Sequence, residues 1–356
     1  LRSRLSSAEQ LQLDYLAGEA KTLKALSYLQ LLQLFATPYD DAEHTGGIIL
    51  KDRVEREELP RSTKAETVQA IERLLKEALT AFDTTTRPPY GSAPGFVNAA
   101  TARALLARLY LYAGDWAKAE EVTRTLVPAT LSASMVPTTP LAWSQGASTI
   151  ALFASSVPVT YYNSIYAQSK SATNATYQLP QRSYLASTDL RHRSYALDST
   201  LQVDATTTRS LQIIGKYAAF LFAGGLPSYN CVVRTTEPIF LRAEALARSG
   251  DETAARDLLN SYLRLVGADE VASTVTGSAL IDAIIAEKAR EFAGEGLRFF
   301  DLKRLGLPIE HYTPNEERVS LTLPEGSYKR TLPLPASERS NKNLGAQNPG
   351  WPELTH

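Results

Sequence analysis

From Ser7 to Phe35 the chain reads SAEQLQLDYLAGEAKTLKALSYLQLLQLF, and Leu23, Leu26, Leu29, Leu31 and Leu34 build a broad apolar face at helical spacing. This predicts one long helix. Thr37-Pro38 ends it, because proline disfavours helical backbone in the residue before it. After the loop PYDDAEHTGG a second helical pattern begins, with Ser62 or Thr63 as candidate N-cap. Glu66, three residues after Thr63, gives the spacing of a capping box. Val68, Ile71, Leu74, Leu75, Ala78 and Leu79 then recur with helical period.

The next pattern, VNAATARALLARLYLYAGDWAKAEEVTRTLV, reads as two helices split at Gly114-Asp115. It recurs as PIFLRAEALARSGDETAARDLLNSYLRLVG. Aligning Gly114-Asp115 with Gly250-Asp251 sets Ala107 on Ala243 and Ala119 on Ala255. Small residues let helices approach closely, and large ones fill the next gap. These read as helical hairpins of tetratricopeptide type, a class with a period of about 34 residues, the alternative being ordinary helical hairpins without repeat ancestry. With the first helical pair they give about four repeat-like units in a mainly α fold.

The middle, Pro128 to Glu237, breaks the pattern. It is rich in Ser, Thr, Tyr and Pro and reads as loops with short extended pieces, RSLQIIGKYAAFLF being a candidate short strand or buried segment. Eight of the 17 tyrosines fall in these 110 residues. Disordered segments are poor in aromatics, so this is an ordered, loop-rich excursion. A helix is expected from about Ser278 to Glu295, then a turn at Gly294 or Gly296 and the short RFFDLKRLG. Pro333 and Pro335 hold the tail to extended or turn structure.

Composition narrows the function. The 356 residues are 44% apolar and 21% charged, as in globular chains, and the net charge of -1 gives no electrostatic footprint for nucleic acid. No apolar run approaches the roughly 18 residues of a membrane-spanning helix, and the opening LRSRLSSAEQ has no signal-peptide pattern. The lone Cys231 forms no internal disulfide. His44, His192, His311 and His356 are scattered without ligand spacing, which disfavours a metal or histidine-based centre. No cofactor is called for.

The chemistry-bearing cluster is AEKAREFAGEGLRFFDLKRLG, with Glu287, Glu291 and Glu295 four apart. Paired carboxylates about 5 Å apart serve retaining glycosidases. Catalytic acids need a raised pKa, however, and carboxylates among Lys288, Arg290, Arg298, Lys303 and Arg304 are pushed the other way. Glu295 and Arg298 also stand at ion-pair spacing. A structural seam is the better reading, and a glycoside hydrolase using Glu291 and Glu295 the lesser one.

EKAREFAGEGLRFFDLKRLG closely resembles the C-terminal signature of the SusD/RagB family. The close LPLPASERSNKNLGAQNPGW is similar to that family's ending at Pro335, Glu338, Asn341, Leu344, Gln347, Asn348, Pro349 and Gly350, with Lys342 where proline is usual. GEAKTLKALSYLQLLQLFATPY resembles the family's early helix, with Lys24 for Arg and Ala36 for Gly. The resemblance implies a single SusD-like domain over 1–356. Its helical scaffold, a right-handed superhelix, would span 1–127 and 237–305. A ligand-facing excursion would span 128–236, and an extended closing segment 306–356.

The resemblance further implies a non-catalytic lipoprotein of the Bacteroidetes outer membrane, exposed at the cell surface. Such a protein captures nutrient for a SusC-like TonB-dependent transporter and touches the membrane only through an N-terminal lipid anchor, which this chain lacks. The ligand is a glycan, or a peptide in the RagB-like branch. A glycan site wants flat aromatics flanked by hydrogen-bonding groups. The candidates are Tyr39, Asp40 and His44 in the loop after the first helix, then Trp143, Tyr161, Tyr162, Asn163, Tyr166 and Tyr177 in the excursion. Trp116 falls in a repeat helix and Trp351 in the closing motif, leaving Trp143 as the free tryptophan platform. A peptide would instead use main-chain hydrogen bonds to a strand edge. A plain repeat scaffold that binds another protein is a third reading, and the large excursion argues against it.

Overall fold

The computed structural model describes residues 2–55, 57–84, 95–136, 151–157, 179, 185–202, 205–216, 228–312 and 319–353. It is mainly helical. The helices are α1 (Ser7–Phe35), α2 (Lys64–Thr84), α3 (Ala99–Ala113), α4 (Trp116–Arg124), the one-turn α5 (His192–Tyr195), α6 (Glu237–Arg248), α7 (Glu252–Val266), α8 (Gly277–Glu291) and α9 (Arg298–Arg304). Three antiparallel strand pairs accompany them: β1 (Ala151–Val157) with β4 (Ser228–Arg234), β2 (Ala196–Gln202) with β3 (Thr208–Ile214), and β5 (Ile309–Tyr312) with β6 (Val319–Leu323).

The helix ends follow from local chemistry. Ser6 caps α1: its hydroxyl accepts from the Glu9 N–H, and Glu9 accepts from the Ser6 N–H at 2.8 Å. Thr63 and Glu66 make the expected reciprocal pair at the start of α2, at 2.8 and 3.1 Å. Gly114 (φ 76) and Gly250 (φ 92) take the left-handed turn between paired helices, where a side chain would be strained. Asp115 and Asp251 then cap α4 and α7. Ala107, Ala119, Ala243 and Ala255 are wholly buried, as expected of small residues at close helix approach.

Consecutive helices pack side by side, α1 on α2, α2 on α3, α3 on α4, α4 on α6 and α6 on α7, with α8 against α6. Among the described residues this packing builds two of three apolar cores. One joins α1, α2 and α3 through Leu29, Leu32, Ile71, Leu75, Leu105 and Leu109; the other joins α6, α7 and α8 through Phe240, Leu259, Tyr262, Leu280 and Ile284. Arg108 of α3 ties the first core to α6 by pairing with Glu237 at 2.5 Å.

The helix expected to reach Glu295 stops at Glu291. Gly294 (φ 81) and Gly296 (φ 78) turn the chain left-handed, so Glu295 leaves the helix face that carries Glu287 and Glu291. Amide side chains fix the end of the closing segment. Asn348 donates to the carbonyls of Phe35 and Leu332 at 2.8 and 2.7 Å, and Arg61 joins Asn348 to Gly47 and Phe35. This latches the C-terminal stretch across the end of α1.

Candidate binding cleft

A cleft of about 660 Å³ opens where the loop after α1 meets the α3–α4 turn, the end of α9 and the segment 325–331. That volume is in the range of small-ligand sites, roughly 300–1,000 Å³. Its loop is held from beneath by Lys64, whose Nζ donates to Thr37 Oγ1 and to the carbonyls of Pro38 and Asp41 at 3.2, 2.6 and 2.7 Å. Asp41 accepts from the His44 N–H and from His44 Nδ1, the latter at 3.0 Å. Burial works to raise the Asp41 pKa, but these hydrogen bonds outweigh it and hold it below the ordinary value.

Tyr39, Asp40 and His44 all line this cleft. Tyr39 stands edge-on to Tyr112, with ring centroids 5.7 Å apart. Asp40 is exposed and His44 half-buried. Trp143, Tyr161, Tyr162, Asn163, Tyr166 and Tyr177 lie outside the described residues.

Several lining residues escaped the sequence reading. Trp116, set aside there as part of a repeat helix, sits at the first turn of α4 on the cleft wall. Arg248, from the end of α6, covers it at 4.9 Å. Both follow the Gly-Asp turn geometry, which puts the start of α4 and the end of α6 at one rim. Tyr328 and Lys303 line the opposite side. In the sequence Lys303 reads as a cation near the glutamates and as part of the family-like FDLKR run, and nothing marks Tyr328. Aromatic faces and polar groups of both charges therefore surround one opening.

The glutamates form a different constellation. Glu291 is fully buried. Its carboxylate meets Arg234 Nη2 at 2.8 Å and Arg191 Nη1 at 3.4 Å, and accepts from the Tyr195 hydroxyl at 2.9 Å and from the Tyr262 hydroxyl. Glu295 pairs with Lys216 at 2.6 Å and Arg234 at 2.7 Å, and Glu287 with Arg191 at 2.6 Å. Burial pushes the Glu291 pKa up, yet Arg234, Arg191 and Lys216 together hold it below the ordinary value. It is an anion locked among cations, the opposite of a poised general acid. These cations come from the N-cap of α5 (Arg191), from just beyond β3 (Lys216) and from β4 (Arg234), so the cluster seams the strand-bearing segment to α8. Of the neighbours that sequence adjacency points to, Arg290 does pair with Glu287, at 2.6 Å. Arg304 in fact pairs with Glu244 and Asp301, at 2.6 and 2.7 Å.

Cys231 is buried, and burial raises its thiol to about 12, so it is not a nucleophile. Among the described residues no group of three or more His, Cys, Asp or Glu side chains is placed to hold a metal ion. No described helix is long and apolar enough to cross a membrane.

The SusD family profile matches residues 159–351, more than half of the chain, and the chain belongs to that family. No curated protein sequence matches it. Among solved structures it is similar to a SusD superfamily protein from Bacteroides vulgatus, at 25% identity and a TM-score of 0.77, over 98% of this chain and 80% of that one. A SusD superfamily protein from Bacteroides thetaiotaomicron aligns at 21% identity and a TM-score of 0.76, over 97% and 80%. A SusD-like carbohydrate binding protein from Bacteroides vulgatus aligns at 18% identity and a TM-score of 0.73, over 96% and 78%. The last two likenesses are of fold.

Proposed function

We propose that this protein is a non-catalytic, cell-surface binding protein that captures oligosaccharide for a SusC-like TonB-dependent transporter of the outer membrane. The observation that carries this reading is the cleft, in which Tyr39, Tyr112, Trp116 and Tyr328 surround polar side chains in a volume fit for a few sugar rings. Sugars offer apolar C–H faces and many hydroxyls, which aromatic walls and hydrogen-bonding groups match. Membership of the SusD family supports a nutrient-binding role. The carbohydrate named for a structural relative favours a saccharide over a peptide.

A purely binding role agrees with the state of the glutamates. Glu291 has its oxygens engaged by arginines and tyrosines and offers no proton. In this reading the chain is one domain, with helical scaffold over 1–127 and 237–305, an excursion over 128–236 that adds ligand-facing loops, and a closing segment over 306–356. Tyr161, Tyr162, Asn163, Tyr166, Tyr177 and Trp143 of that excursion are further candidate ligand contacts. Contact with the membrane would be only through an N-terminal lipid anchor.

Calorimetric titration with a panel of neutral and acidic oligosaccharides, beside a mixed oligopeptide pool, tests the proposal. Saturable saccharide binding without turnover is expected. Peptide binding with no saccharide binding would move the protein to a RagB-like role, and release of hydrolysed sugar would overturn the non-catalytic reading.

A further inference from the structure

Four of the seven buried cations among the described residues have a carboxylate against them: Arg191, Lys216, Arg234 and Lys288. Lys64, Lys303 and Arg330 do not, although each is at least 96% buried by its exposures of 4, 3 and 3%. All three lie at one end of the molecule, and Lys303 and Arg330 line the cleft. Their hydrogen bonds go to uncharged oxygens. Lys303 Nζ donates to the carbonyls of Gln33 and Ala36 at 2.8 and 2.7 Å, leaving one of its three N–H groups over. Arg330 donates to the carbonyls of Glu325 and Leu307 at 2.7 and 2.9 Å and to that of Leu302. Its Nε is buried with no acceptor.

The charge does not balance. The C-terminal ends of α1 and α9, which supply several of these carbonyls, carry roughly half a negative charge each. That offsets about one of the three cations. Asp40 and Asp41 act on Lys64, and Glu325 on Arg330, without ion-pair contact. The charged neighbours of Lys303 are Arg330 and Lys64, both positive; burial and this repulsion pull its pKa down to about 7. Uncompensated buried charge is costly, and an incoming anion relieves it.

We propose that the cleft selects saccharides bearing an oxyanion, a uronate carboxylate or a sulfate ester, which seats against Lys303 and Arg330 while the sugar ring rests on the aromatic walls. This rests on the saccharide-binding reading above and adds the charge of the preferred sugar. Asp40 and Glu325 are exposed at the rim, and Asp41 is engaged by His44, so the acids do not neutralise the floor.

The test is calorimetry on the 356-residue chain at pH 7.5 with trigalacturonate, its methyl ester, a neutral galactose trisaccharide and that trisaccharide's sulfate ester. The acidic sugar should bind at least about tenfold tighter than its ester, the size of one charge-assisted hydrogen bond. Binding should also take up protons, read as an enthalpy that varies with the buffer's ionisation heat, because the anion restores the Lys303 ammonium. Lys303→Arg should keep the preference and lose the proton uptake. Lys303→Met should bring the acid and its methyl ester to equal affinity. A preference only for the sulfate ester assigns the oxyanion to sulfate. Equal affinity within both pairs, the uronate with its methyl ester and the sulfate ester with its neutral parent, or binding without proton uptake, overturns the inference and leaves saccharide capture standing. Failure of every sugar to bind overturns both. The wild-type arms decide the matter even if a variant does not fold.

Discussion

Arg234, the last residue of β4, reaches two glutamates at once: Nη2 lies 2.8 Å from Glu291 at the end of α8, and Nε 2.7 Å from Glu295 in the turn beyond it. A strand is thereby fastened to a helix and to its exit turn by one buried guanidinium.

Removing one partner of such a cluster strands the others in a dry site. Arg234→Met should therefore lower unfolding stability by about 3–5 kcal/mol. Urea denaturation monitored by circular dichroism measures it. A loss below about 1 kcal/mol, the range of surface ion pairs, would contradict the seam. Glu295→Gln should also destabilise the fold rather than silence a reaction.

Asp301 gives an acid-side signature. Burial works to raise its pKa, but Lys288 and Arg304 hold it at about 2, against 3.8 for a free aspartate. A depressed carboxylate stabilises the fold above its unfolded value and loses that contribution as pH falls through the folded one. The contribution is about 2 kcal/mol, so Asp301→Asn should unfold more readily at neutral pH. The deficit should shrink steadily between pH 4 and pH 2. A constant deficit across that range would count against the assignment.

Lys303 works in the opposite sense. Its folded-state pKa of about 7 lies below the free value of 10.5. Between those values the unfolded chain holds a proton that the folded chain does not. Stability from this group therefore rises with pH across that window and is lowest below pH 7. Lys303→Met should remove the slope, which denaturation midpoints at pH 6.5, 8 and 9.5 would reveal.

Gly350 sits at φ 76 with the Tyr328 ring packed on it; a Cβ there would lie 2.7 Å from the Tyr328 Cβ. Tyr328 in turn meets Trp351 edge-on at 5.0 Å. Gly350→Ala combines backbone strain with a clash and should cost more than about 1 kcal/mol. Since Tyr328 lines the cleft, the same change should weaken ligand binding. Thermal unfolding and ligand titration of this variant check both effects.

The helices were legible because their signals are local. Of the α1 face read from the sequence Leu26 and Leu29 are buried, while Leu23 and Leu31 are exposed and the unmarked Leu32 is buried in their stead; Thr63 and Glu66 start α2, and Gly114-Asp115 and Gly250-Asp251 divide the hairpins. The seam was legible as a structural cluster, but its partners were not. Arg191, Lys216 and Arg234 reach Glu291 and Glu295 across 57 to 100 residues of sequence, and no spacing rule spans that distance. The left-handed turns at Gly294 and Gly296 further moved Glu295 off the helix on which period alone had placed it. Within the cleft, Tyr39, Asp40 and His44 were found from one loop. Trp116 and Tyr328 were missed because they join it only through the packing of α4 and the closing segment.

The most direct measurement of the account's central claim is a fluorescence titration with Trp116 as sole tryptophan, in a Trp143→Phe/Trp351→Phe variant. Oligosaccharide binding in the cleft should change the emission saturably, and Tyr39→Ala should weaken that response. Saccharide binding seen by calorimetry with no change in Trp116 emission would place the site elsewhere and contradict the assignment of this cleft.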